Sequence, residues 1–163
     1  MRLWSYQLLP YLDDFHIVAQ WRELLAIKGA IDKNGTPNHR LVNKVLKYNI
    51  QDFKNYTACV VCELNKRKIK YSNSKWEEIR DWDSPHFNND RYFGAKYYIG
   101  WHEGRYLTQC YFNLQEKMDC GIVSETAWNK INNFYIKYQK ERRWAEYKDS
   151  VLSQELKENG DGE

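Results

Sequence analysis

Residues 1–30 read MRLWSYQLLPYLDDFHIVAQWRELLAIKGA, and this stretch decides the fold. A short apolar lead-in ends at Asp13 and Asp14. Either is a good helix N-cap, because a short carboxylate accepts from the orphan N–H groups of a first turn. Apolar residues then recur at Ile17, Val18, Trp21, Leu24 and Leu25, one stripe of a 3.6-residue period. At about 100° per residue, His16, Ala19, Gln20, Glu23, Ala26 and Ile27 fall on the opposite side, with Arg22 on its flank. The expectation is an amphipathic helix with the N-terminal segment threading against it.

That second face carries a carboxylate and an imidazole, with Ala19 and Ala26 on either side of Glu23. Small neighbours leave room for a large group to approach the acid. On spacing alone, Arg22 and Glu23 serve as readily as surface charges, and His16 as a satisfied partner.

Beyond the first helix, Gly29–Pro37 reads as a loop, since Asn34-Gly35 and Pro37 are turn signals. Asn38–Tyr48 reads as a short helix with Leu41, Val45 and Tyr48 inward and Arg40, Lys44 and Lys47 outward. His39 and Arg40 stand near its start, where N–H groups and the positive end of the dipole suit a phosphate. Asp52–Lys68 is the strongest helix, with Phe53, Tyr56, Val60, Val61 and Leu64 as its buried stripe. A short Trp76–Trp82 helix and one from His102 to Met118 follow. Ser124 then caps a helix whose seam is Trp128, Ile131, Tyr135 and Tyr138. With no period-2 strand, the chain reads as all-α: one compact domain of about five helices over residues 1–140. Residues 141–163 are a charged helix extension or a disordered tail.

The formal charge of +3 does not announce a nucleic-acid protein, but its distribution is uneven. Residues 38–80 hold ten Lys or Arg against four acids, whereas the chain from Asp81 onward carries fourteen acids against eleven bases. The basic middle suits either a phosphate-facing surface or a set of solvated helix faces. No run approaches eighteen apolar residues and no leader pattern opens the chain, so a soluble, cytoplasmic protein without membrane contact is expected. Cys59-Val-Val-Cys62, Cys110 and Cys120 offer enough thiols for zinc. The first pair lies in an apolar helical run without turn residues, so buried free thiols are the favoured reading, with neither metal nor other cofactor.

The string H-x-x-A-x-[WY]-R-E-L, here His16 to Leu24, with Arg2 near the start of the chain, resembles the bacteriophage endonuclease V family of pyrimidine-dimer DNA glycosylase/AP lyases. A second patch agrees: Tyr98-Ile99-x-x-His102-Glu103 and Asn113-Leu114-Gln115-Glu116-Lys117 are similar to that family's Y-I-x-H-E and R-L-D-E-K segments. The resemblance implies a catalytic set of the N-terminal α-amine, Glu23, Arg22 and His16. Arg2 is a large second residue that should block removal of the initiator, so the amine is that of Met1. Ala26 stands where the family has a second arginine, with Lys28 close by, and Asn113 replaces another. Double-stranded damaged DNA is the implied partner, with Arg2, Lys28, His39, Arg40, Lys44, Lys47 and Lys117 as contacts and no obligatory protein partner.

The chemistry needs an unprotonated amine. An α-amine with a pKa of about 7.7–8.0 is roughly 10–20% free at pH 7, whereas a lysine near 10.4 is below about 0.1% free. A chain terminus is therefore a ready nucleophile without burial. Two other classes remain open from the residues alone: a non-catalytic nucleic-acid-binding helical module, and a helical adaptor using its aromatic C-terminal seam as an interface.

Overall fold

The computed structural model describes residues 2–90 and 97–160, apart from the side chains of 147 and 150–160. The described residues form five α-helices and two 3-10 segments, and no strand. Helix α1 spans Asp14–Asn34. Asp13 is its N-cap, accepting from the His16 N–H at 2.9 Å, and Gly35 closes it at φ 71°, a left-handed turn that glycine adopts without strain.

The helix thus continues through the stretch read as a loop from Gly29. Ile31 explains why: it is wholly buried and extends the stripe Ile17, Trp21, Leu24, Ile27 by one more turn. Asn34-Gly35 is the stop signal of a helix, not the interior of a loop. The buried arc also differs from the expected stripe. His16, Gln20 and Ile27 are buried, whereas Val18 and Leu25 are half-exposed, because α1 is covered on two sides.

The segment Tyr6–Tyr11 is a 3-10 turn, followed after Leu12 by the α1 cap. Leu3, Leu8 and Leu9 are in the core, so the start of the chain is an interior strap. Helix α2 spans Ile50–Lys66, with Asn49 as its cap, and packs closely on α1. Between them, Val42–Lys47 is a 3-10 turn, not the α-helix read over Asn38–Tyr48. Val42 and Val45 are its buried residues, three apart as 3-10 geometry places one face, Tyr48 is buried at its C-cap, and Leu41 is only partly covered.

Helix α3 spans Asn73–Arg80, capped by Ser72, and so begins and ends earlier than the Trp76–Trp82 reading. Helix α4 spans Arg105–Asp119 and α5 spans Glu125–Gly160. The expected start of α4 at His102 is corrected: His102 is wholly buried in the turn before it, and Gly104 makes the entry at φ 49°. Ser124 accepts from the Ala127 N–H, as a cap should, and α5 packs on α4 through Tyr111 stacked on Tyr135 at 3.8 Å. No helix among the described residues is long and apolar enough to cross a membrane.

Candidate active site at the N-terminal strap

The strap is held by polar bonds from four elements. The Trp4 N–H donates to Gln20 Oε1 at 2.9 Å, and the Tyr56 hydroxyl donates to the Trp4 carbonyl at 2.8 Å. The Tyr106 hydroxyl donates to the Leu3 carbonyl at 2.5 Å, and Ser5 Oγ donates to the His102 carbonyl at 2.8 Å. His102 Nδ1 also accepts from the Tyr6 N–H at 3.3 Å. Farther along, the Arg67 guanidinium donates to the carbonyls of Leu12, Pro10 and Leu9. A backbone lacking helix or sheet pairing thereby has its buried groups satisfied by side chains.

The second sequence patch supplies part of this clamp. Tyr98 has a left-handed φ of 52°, uncommon for an aromatic residue, and its N–H donates to the buried Asp52 carboxylate at 3.1 Å. Burial raises the Asp52 carboxyl above the usual range. The His102 ring lies among Tyr6, Tyr56, Tyr98, Trp101 and Tyr106. Burial, with a smaller push from Lys44, lowers His102 to about 3, so it is neutral at physiological pH and accepts at Nδ1.

The strap ends at Glu23. The Arg2 backbone N–H donates to Glu23 Oε2 at 3.0 Å. Arg2, His16, Glu23 and Lys117 line one open cleft of about 330 Å³, with Trp4, Phe15, Ala19 and Gln20. Arg22 and Glu23 line a second cleft of about 500 Å³ that shares Phe15 and Ala19 with the first. The half-buried Glu23 is therefore reachable from two sides, one bearing Lys117 and one bearing Arg22. Ala19 keeps the wall between them low.

The remaining expected residues fall as follows. Met1 lies outside the described residues. His16 is 3% exposed, with Nδ1 2.7 Å from Asp13 Oδ1, so the ring is fixed by the α1 cap. Arg2 lies over the Trp4 ring at 5.6 Å instead of reaching outward freely. Lys28 is paired with Asp32 at 2.6 Å and covers Trp82. His39 Nδ1 accepts from the Val42 N–H at 3.4 Å, and its own N–H donates to Asn43, so it caps the 3-10 turn.

Lys44 covers the Trp101 ring in a separate depression beside Glu103 and Arg105, and burial lowers its pKa, with Lys47 adding to the effect. Arg40 and Lys47 are exposed. The cleft thus gathers Arg2, His16, Glu23 and Lys117, with Arg22 next door. It does not gather Lys28, His39, Arg40, Lys44 or Lys47.

Four of the ten bases in the middle of the chain have partners within the protein. Arg67 is spent on the strap, Lys66 pairs with Glu63, Lys75 with Glu78 and Arg80 with Asp81. The cysteines are all free, but only Cys110 is buried; Cys62 and Cys120 are exposed and Cys59 is half-buried against the Tyr97 hydroxyl. The expectation of four buried thiols is corrected accordingly, since the outer face of α2 carries Cys62. Among the described residues no group of three or more His, Cys, Asp or Glu is arranged to hold a metal.

Sequence reasoning missed Trp4 and Phe15 as parts of the site, and the bonds that Asp13 makes to His16 and Gln20 to the strap. Phe15 alone left a signal, being a large apolar residue outside the stripe of α1.

No curated protein and no solved structure matches the chain. Residues 1–77 do match a sequence family, and they include the strap, Glu23 and all of α1 and α2. The second patch lies beyond them. The family is one of enzymes, and over its first 77 residues the chain is similar to it: pyrimidine dimer DNA glycosylase.

Proposed function

We propose that the protein is a DNA repair glycosylase with AP-lyase activity on pyrimidine dimers or related base damage, using the α-amine of Met1 with Glu23. The observation that carries this reading is the hydrogen bond from Arg2 N–H to Glu23. Arg2 N is the atom through which residue 2 is joined to residue 1. Covalent geometry alone keeps the α-nitrogen of residue 1 within about 4 Å of it. A carboxylate of the R-E-L string is thus bonded to the backbone one residue from the amine that the reaction needs.

In the proposed reaction the free amine attacks C1′ of deoxyribose. The N–C1′ bond forms as the glycosidic bond breaks, and the base leaves with a proton. Opening of the sugar ring gives a protonated imine. Loss of a C2′ proton then expels the 3′-phosphate by β-elimination, and water releases the enzyme. Glu23 stabilises the positive charge developing on the sugar and carries protons for imine formation and elimination. Arg22 and Lys117, one in each cleft, hold phosphates on either side of that carboxylate. His16, fixed by Asp13, lines the same cleft as Glu23, and Arg2 supports the strap through Trp4. Arg40, Lys44, Lys47, Lys28 and His39 lie away from the cleft and contribute at most to nonspecific phosphate contact.

Borohydride tests this directly. It reduces the protonated imine to a secondary amine and leaves protein and DNA covalently joined. The expected result is a trapped adduct on dimer-containing and abasic duplexes, lost when the α-amine is blocked by acetylation or by an added N-terminal residue. Full trapping with a blocked terminus would overturn Met1 as nucleophile. Binding without any adduct would leave a DNA-binding module with no reaction.

A further inference from the structure

Phe15 is 67% exposed although it stands in the first turn of α1, one residue before the buried His16. Its ring is common to both Glu23 clefts and also borders a third depression of about 640 Å³ lined by Tyr11, Asp14, Glu63 and Lys130. It is therefore an apolar ridge with hollows around it, next to the proposed catalytic acid. The ring is backed, not free: it meets the His16 imidazole edge-on at 5.3 Å and 87°, and that imidazole is held by Asp13. An edge-on contact leaves a ring face open, and an anchored neighbour gives the ridge stiffness.

Resting on the glycosylase reading above, we propose that Phe15 is a specificity-determining wedge: it enters the base stack at the lesion and stacks on a base, holding the damaged nucleotide apart beside Glu23. An enzyme acting on a base within a duplex must unstack it, and an apolar side chain inserted at a base step lowers that cost. Phe15 has the chemistry for this, since every base offers a π face and an aromatic ring stacks on it regardless of sequence. Charge sets the direction of entry. Arg22 and Lys117 flank the ridge on the two Glu23 sides, while in the third hollow the cations are set against Asp13, Asp14 and Glu63, with Arg67 paired to the last two. The phosphates belong on the Arg22 and Lys117 sides, where a cation stands in the same cleft as Glu23.

The test uses the full chain and a dimer-containing duplex with 2-aminopurine beside the lesion, whose fluorescence rises when it is unstacked. Wild type should raise that emission several-fold on binding, Phe15→Ala should give less than half of the rise, and Phe15→Trp should restore it. Phe15→Ala should lower kcat/KM on the dimer duplex by about 5- to 100-fold, the range that loss of one stacked base predicts. Borohydride trapping by Phe15→Ala on a single-stranded abasic oligonucleotide, which has no duplex to open, should fall by clearly less than the loss on the duplex.

Phe15→Ala indistinguishable from wild type on the duplex would overturn the wedge, as would an equal loss on the single strand. A variant that changes only the oligomeric state would make the ridge a protein contact and overturn it too. A wild type that traps on neither substrate would instead refute the glycosylase reading itself.

Discussion

The strap and the cleft at its end are built from different materials. Along Leu3 to Ser5 the side-chain bonds are buried and uncharged, Gln20 to Trp4, Tyr56 to Trp4, Tyr106 to Leu3 and Ser5 to His102, and the Arg67 guanidinium holds only the far end at Leu9 to Leu12. Around Glu23 they are open and charged, with Arg22 exposed and Lys117 half-exposed. Low-dielectric hydrogen bonds are strong and exacting in geometry, which suits the task of holding a terminus in place. Exposed cations suit the task of meeting phosphates. Position and chemistry are thus separable, and mutation should separate them.

The largest effect belongs to the cleft. Glu23→Gln keeps an acceptor for the Arg2 N–H and so leaves the strap in place, but it removes the negative charge. Strand cleavage should fall at least about 100-fold, the range for loss of a positioned acid–base or electrostatic group. Affinity for damaged DNA, measured by gel shift, should stay within about threefold. Equal cleavage by Glu23→Gln and wild type would remove Glu23 from the reaction.

A strap residue should do the reverse. Gln20→Leu leaves the Trp4 N–H buried without its acceptor and takes a neighbour from the Tyr56 hydroxyl. The expected cost is about 3 kcal/mol of stability, read by urea denaturation, because a buried donor left unmade loses its full hydration. Cleavage should fall as well, since Arg2 is only two residues from Trp4, and the trapped adduct should form slowly rather than vanish. A Gln20→Leu protein with wild-type stability would mean the strap is held mainly by its leucines.

This contrast also explains what was legible in the sequence. The cleft side was legible because Arg22, Glu23 and His16 sit on one helix, and helical spacing is local information. So was the cap at Asp13, and so were α2 and the seam of α5. The strap was not, because its partners lie far off in sequence: Tyr56, His102 and Tyr106 bond to residues 3–6 across 52 to 103 positions. Arg67 illustrates the same limit. Its place after an apolar helix suggests a dipole-facing surface cation, yet three carbonyls of the strap hold it. The length of α1 is hidden for a different reason: Asn34-Gly35 is a turn signal whether a helix or a loop precedes it, and the added length rests on one apolar residue, Ile31.

The neutral His102 gives the strap a pH signature. Its folded pKa of about 3 lies below the ordinary value of 6.5, so the unfolded chain binds a proton that the folded chain refuses. Its contribution is complete above pH 6.5 and is lost as pH falls toward 3, by about 1.4 kcal/mol per pH unit. Comparison of wild type with His102→Gln by denaturation at pH 7, 6 and 5 should show a shallower acid loss in the variant. Identical slopes would mean that His102 accepts its proton without disturbing the strap.

The smallest effect concerns cations remote from both regions. Lys47 is exposed and lies away from the Glu23 clefts, whereas Lys66 is paired with Glu63 at 2.8 Å. A cation that meets a phosphate releases a counterion, so its removal should flatten the plot of log affinity against log salt by about 0.9. If the duplex extends beyond the cleft toward the 3-10 turn, Lys47→Gln should flatten that slope and weaken binding about threefold at low salt, while Lys66→Gln leaves both unchanged. Cleavage of bound DNA should be unaffected by either, because neither side chain touches the strap or the acid. Equal salt slopes in Lys47→Gln and wild type would confine the electrostatic footprint to Arg22 and Lys117, making the cleft and the phosphate contact one surface.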